Sequence, residues 1–170
     1  MNFDSTQPQS ARALTAAAHA AFVPIGVVTV LLGPMLPILS ARWGMNYSQA
    51  GSLFTVQFIT SSLGVMLSGR LVARRGFRFA IATGLLFMAA GVAGLPFSSH
   101  IWGMACIAAY GFGIGVSIPA SNLVVAEANP SRRSAALSLL NFSWSVGAVA
   151  CPFLIGAADK VHHVPALLVL

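Results

Sequence analysis

Apolar residues run through this chain in long blocks, interrupted by short polar stretches. The first block is free of Asp, Glu, Lys and Arg from Ala13 to Ala41, a length of 29 residues. A helix needs about 20 apolar residues to cross the hydrocarbon core of a bilayer. The pattern predicts span 1 over Leu14–Leu39, span 2 over Ser48–Leu67, span 3 over Phe79–Leu95, span 4 over Ile101–Ala126 and span 5 over Ala135–Ala158. Spans 3 and 4 share one uncharged stretch of 48 residues, Phe79–Ala126, too long for a single crossing. Pro96 and the polar cluster Ser98-Ser99-His100 favour a turn within it. Polar connections are expected at Ser40–Tyr47, Ser68–Arg78, Glu127–Ser134 and Asp159–Val164. Pro165–Leu170 reads as the start of a sixth span, about 9 Å of helix at 1.5 Å per residue. The chain thus reads as cut inside a helix. The fold class is all-α integral membrane, with five full spans and the start of a sixth.

Composition agrees with lipid as the solvent. Hydrophobic residues make up 57% and charged residues 7%, against about 25% charged in a soluble domain. The formal charge of +6 would suggest nucleic acid in a soluble protein. Here the basic residues cluster between apolar runs and the aromatics lie mostly inside them, which is membrane topology and argues against a nucleic-acid partner. The first block is too long for a signal-peptide core of about 7–15 residues. With the N-terminus cytoplasmic, seven basic residues fall inside (Arg12, Arg70, Arg74, Arg75, Arg78, Arg132, Arg133) and two outside (Arg42, Lys160). The positive-inside rule favours that orientation. Residues 1–12 are then a cytoplasmic tail, and residues 13–170 an incomplete transmembrane domain of an inner or plasma membrane.

Chemistry for catalysis is sparse. Cys106 and Cys151 both lie in apolar runs, no Cys/His spacing suggests a metal, and His162-His163 reads as an ordinary loop pair. Spans without Asp, Glu, Lys or Arg offer no nucleophile with its base, so an enzyme is not expected and no cofactor is implied.

The stretch Gly69-Arg70-Leu71-Val72-Ala73-Arg74-Arg75-Gly76-Phe77-Arg78 resembles the loop 2–3 signature of the major facilitator superfamily, G-x-L-x-D-R-x-G-R-R/K, at Gly69, Leu71, Arg74, Gly76 and Arg78. The signature's Asp falls on Ala73 and one Arg on Phe77, so the latch that the family Asp provides is in doubt here. In span 5, Gly147, Cys151-Pro152 and Gly156 are similar to the pattern G-x-x-x-G-P-x-x-G-G. The run through spans 4 and 5 looks most like the fucose permease branch of sugar transporters. The resemblance implies a six-helix half built from two inverted three-helix repeats. It implies transport of a small organic solute by alternating access, completed by a missing C-terminal half or a second copy. It implies a rim pair between Glu127 and Arg74. Positions that carry carboxylates in proton-coupled members of that branch hold Gly33 and Ile118, so proton coupling through this half is not supported.

Polar residues at helical spacing mark a candidate solute pathway. Span 2 carries Gln57, Thr60, Ser61, Gly64 and Ser68 on one stripe. Span 5 carries Ser138, Asn141 and Ser145, with Trp144 beside them, and span 4 carries Tyr110, Ser117 and Ser121, with Asn122 adjacent. The same residue types also join helices to one another. A membrane scaffold that moves nothing, or a truncated inactive product, is the alternative reading.

Overall fold

A computed structural model describes residues 7–160, with side chains described from 16 to 157. Its regular elements are all helical. They are α1 (Gln7–Val30), α2 (Leu32–Trp43), α3 (Tyr47–Gly94), a 3-10 turn (Leu95–Phe97), α4 (His100–Ala128) and α5 (Arg133–Lys160). The expected start of span 6, His162-His163 and most of the connection before Pro165 lie outside the described residues. Among the described residues, three helices, α3, α4 and α5, are long and apolar enough to cross a membrane, and α1 with α2, taken as one bent span, makes a fourth.

That bend corrects the expectation of a single helix over Leu14–Leu39. α1 and α2 meet at 41° across Leu31. Proline explains the place of the break. Pro34 has no N–H for the carbonyl of Val30, and its ring crowds that carbonyl; Val30 is the last residue of α1. α2 then stops at Gly44, which takes the left-handed conformation (φ 61°) and donates its N–H to the Ser40 carbonyl. Only Gly44–Asn46 remain of the expected polar connection. Asn46 and Gln49 start α3 with a reciprocal capping box, each side chain accepting from the other's N–H at 2.9 and 3.0 Å.

A second correction concerns Ser68–Arg78, expected as a loop. Helix continues through it and only Gly76 departs, at φ 81° and ψ 170°. That backbone region belongs almost wholly to glycine. Leu, Ala and Arg are strong helix formers, so the arginines extend the helix to the turn instead of unwinding it. A straight α3 of 48 residues would reach about 72 Å, more than twice the ~30 Å hydrocarbon core. Gly76 divides it into a first limb (47–75) and a second limb (77–94).

Both limbs pack on α4, in opposite senses. On the first limb, Gln57 and Ser61 stand against Gly111 and Gly115, and Gly64 and Ser68 against Gly115 and Val116. On the second, Gly84 meets Gly113 and Ser117, whereas Gly91 meets Cys106 and Tyr110. The turn at Gly76 therefore lies beside the C-terminal end of α4. At the other end, Trp43 packs on Gly103 and donates its indole N–H to the Ser98 carbonyl at 3.2 Å. α4 is consequently the most buried helix of the bundle.

α1 packs mainly on α5, and the crossing is closest at Gly26 and Gly147. A Cβ on Gly26 would strike the backbone of Trp144 and Ala148; one on Gly147 would strike that of Val23 and Val27. Small residues let two backbones approach when lipid supplies no hydrophobic drive between helices. The core around these crossings holds Phe22, Ile25, Leu53, Ile107, Tyr110, Val125 and Leu140.

Candidate functional site

Four helices meet at one polar junction. Gln57 on the first limb of α3 is 5% exposed, and Tyr110 on α4 is 1% exposed. The Gln57 carboxamide donates from Nε2 to the Thr29 carbonyl at 3.2 Å and accepts at Oε1 from the Tyr110 hydroxyl at 3.3 Å. Trp144 on α5 donates its indole N–H to the Thr29 hydroxyl at 3.4 Å. That hydroxyl in turn donates to the Ile25 carbonyl at 2.6 Å. The junction thus ties α1 to α3, α4 and α5. Its place follows from the break in the first span. Thr29 sits beside the break, where carbonyls run short of helical donors, and a buried carbonyl without a donor costs several kcal/mol in lipid. Gln57 supplies one.

The expected solute-lining residues separate into two groups. Gln57, Tyr110, Ser117 and Ser121 are enclosed between helices. The hydroxyls of Ser117 and Ser121 and the Oδ1 of Asn122 are buried with no hydrogen-bond partner among the described residues. Thr60 turns its hydroxyl onto the Val56 and Gln57 carbonyls at 2.8 and 3.1 Å. Ser61 offers its backbone to Gly115. The second group lies on α5. Ser138, Asn141 and Ser145 are exposed along one edge, with Trp144 half-buried beside them. Ser145 bonds back to the Asn141 carbonyl at 3.0 Å. The Asn141 side chain has no hydrogen bond among the described residues.

The signature residues gather at one end. Gly69, Leu71 and Arg74 lie on the first limb of α3, Gly76 is its turn, and Arg78 opens the second limb. Arg75 sits 5.1 Å above the ring of Phe79. Arg132 and Arg133 join them through the turn between α4 and α5, where Arg133 donates to the Ala126 carbonyl at 3.2 Å and Asn129 to the Val125 carbonyl at 2.9 Å. Glu127 and Arg74 share this end and are both exposed. They do not come within the 4.0 Å of an ion pair in this conformation. Of the span 5 pattern, Gly147 makes the crossing with α1, whereas Pro152 and Gly156 are exposed. No three potential metal-ligating His, Cys, Asp or Glu side chains come together among the described residues.

Thr29 escaped the sequence reading. A signal was present, since it is the one hydrogen-bonding side chain between Phe22 and Leu39. His19 was missed as well; its Nδ1 lies 3.1 Å from the Ser143 hydroxyl and makes a second polar tie between α1 and α5.

Comparison with known proteins adds three relatives and a family. The family model of the Major Facilitator Superfamily matches residues 11–169. The uncharacterized MFS-type transporter YhjO of Bacillus subtilis (strain 168) is 36% identical over 100 residues, covering 58% of this chain and 25% of that protein. The niacin transporter NiaP of Acinetobacter baylyi is 27% identical over 121 residues, covering 70% of this chain and 28% of that protein. The sodium-dependent glucose transporter 1A of Mus musculus is 23% identical over 150 residues, covering 85% of this chain and 35% of that protein. The matched region spans about a quarter to a third of the length of these relatives. No solved structure matches at a comparable level.

Proposed function

The chain belongs to the Major Facilitator Superfamily, and from that premise we propose that it forms one wall of a secondary transporter for a small polar organic solute. The observation that carries this reading is the exposed edge of α5. α5 is apolar enough to cross a membrane, yet it turns Ser138, Asn141 and Ser145 outward, with Trp144 beside them. An amide left unpaired in hydrocarbon costs ~1–3 kcal/mol. Asn141 therefore calls for water, a solute or a second polar wall opposite it.

In this reading the bent pair α1–α2 crosses once, the two limbs of α3 cross once each, and α4 and α5 make five crossings in all. The opposite wall comes from a C-terminal half or from a second copy, and the two rock against each other in alternating access. Glu127 and Arg74 close their rim contact in another conformation of that cycle; at an exposed rim it contributes ~0–1 kcal/mol. The relatives named for niacin and glucose and the sugar-transporter resemblance suggest a ring solute bearing hydrogen-bonding groups. Full-length protein in proteoliposomes is expected to show saturable uptake within a panel of pyridinecarboxylates and pyranoses. No saturable uptake across the panel, with the protein folded, argues for the scaffold alternative.

The basic end is proposed to face the cytoplasm. Its support is that Arg70, Arg74, Arg75, Arg78, Arg132 and Arg133 lie together beside the C-terminal end of α4, where cytoplasmic loops carry such excess. A cysteine at Arg75 is expected to resist an impermeant maleimide in intact cells and to react after permeabilisation. Efficient labelling in intact cells reverses the orientation.

A further inference from the structure

Thr29 lies at the crossing of two features treated so far separately: the bend in the first span and the polar edge of α5. Its carbonyl is held by Gln57 at 3.2 Å, and its hydroxyl by Trp144 at 3.4 Å. The hydroxyl keeps its own donor for Ile25 at 2.6 Å, so its lone pair stays directed to the indole. Trp144 stands next in sequence to Ser145 and one turn from Asn141, both exposed. The α1–α5 backbones touch at Gly26 and Gly147, one helical turn along the chain from Thr29 and from Trp144.

We propose that Thr29 is a positioning residue for transport. Its hydroxyl fixes the indole of Trp144 at the solute-facing edge of α5, and its carbonyl fixes the bend of the first span through Gln57. The indole and the bend are then set by one residue, the indole through its hydroxyl and the bend through its carbonyl. The inference rests on the reading of α5 as a solute wall and adds a residue that touches no solute itself. Valine at this position keeps the β-branched shape and removes the acceptor, whereas serine keeps the acceptor.

The test uses full-length protein in proteoliposomes with every tryptophan except Trp144 replaced by phenylalanine. Thr29→Val is expected to shift the Trp144 emission and to raise KM about fivefold for a pyridinecarboxylate or a pyranose, whichever is taken up, as loss of one neutral hydrogen bond does. kcat is expected to stay within about twofold, because only binding geometry is altered. Thr29→Ser is expected to match the parent protein in both readouts. Unchanged emission in Thr29→Val overturns the proposal, as does a shifted emission with an unchanged KM, or a Thr29→Ser protein as impaired as Thr29→Val. Asn141→Ala separates the two levels. If it raises KM while Thr29→Val does not, the positioning role fails and the wall stands; if Asn141→Ala leaves uptake unchanged, the wall itself fails.

Discussion

Gly147→Leu is expected to leave no monodisperse protein after detergent extraction. The residue faces the backbone of Val23 and Val27, with no side chain between them to yield. Overpacking a core costs ~1–3 kcal/mol when neighbouring side chains can shift. Here two helix backbones must separate, and the His19–Ser143 and Trp144–Thr29 bonds between the same helices open with them. The loss is therefore expected above that range, and Gly26→Leu should match it, because Gly26 meets the backbone of Trp144 and Ala148 in the same crossing. Gly51→Leu is the control. It is exposed on α3 with nothing near its missing Cβ, and its elution profile should stay that of the parent. Size-exclusion chromatography with fluorescent detection decides it. A sharp parental peak for Gly147→Leu contradicts the close α1–α5 crossing.

Gln57→Leu is the second large effect. The leucine fits the space but removes a donor from the Thr29 carbonyl and an acceptor from the Tyr110 hydroxyl. An orphaned buried polar group costs ~1–3 kcal/mol, and two are orphaned together, so a loss of about 2–3 kcal/mol is expected in thermal melts. Hydrogen bonds between membrane helices average nearer ~0.6 kcal/mol when measured by double-mutant cycles, because the unfolded chain finds partners too. Burial of both side chains places this junction above that average. Adding Tyr110→Phe should recover part of the loss, since replacing both partners by apolar groups is close to neutral. Additive losses in the double variant contradict the bond.

The contrast between Gln57 and Asn141 shows what was legible in the chain. Both are amides in apolar runs on polar stripes, and helical spacing places each correctly on a face. Spacing does not say which neighbour that face meets. Gln57 meets the Thr29 carbonyl, and the Asn141 side chain has no hydrogen bond among the described residues. The runs themselves marked the helices well: the turn at Leu95–Phe97 stands where Pro96 suggested it. Charge alone makes the arginine-rich stretch read as a loop, whereas it folds as helix up to Gly76. Arginine favours helix as leucine does, and one glycine suffices for the reversal. The break at Leu31 had its cause in plain view, in Pro34. The pairing of Gly26 with Gly147 did not, because nothing local to either glycine indicates the other.

The central claim is that the exposed edge of α5 lines the solute path. The direct measurement is a cysteine at Asn141 in a protein with Cys106 and Cys151 replaced by alanine. A thiol reagent applied to proteoliposomes is expected to block uptake, and the transported solute is expected to slow that block. Full modification of the cysteine with uptake and its KM unchanged would contradict the account.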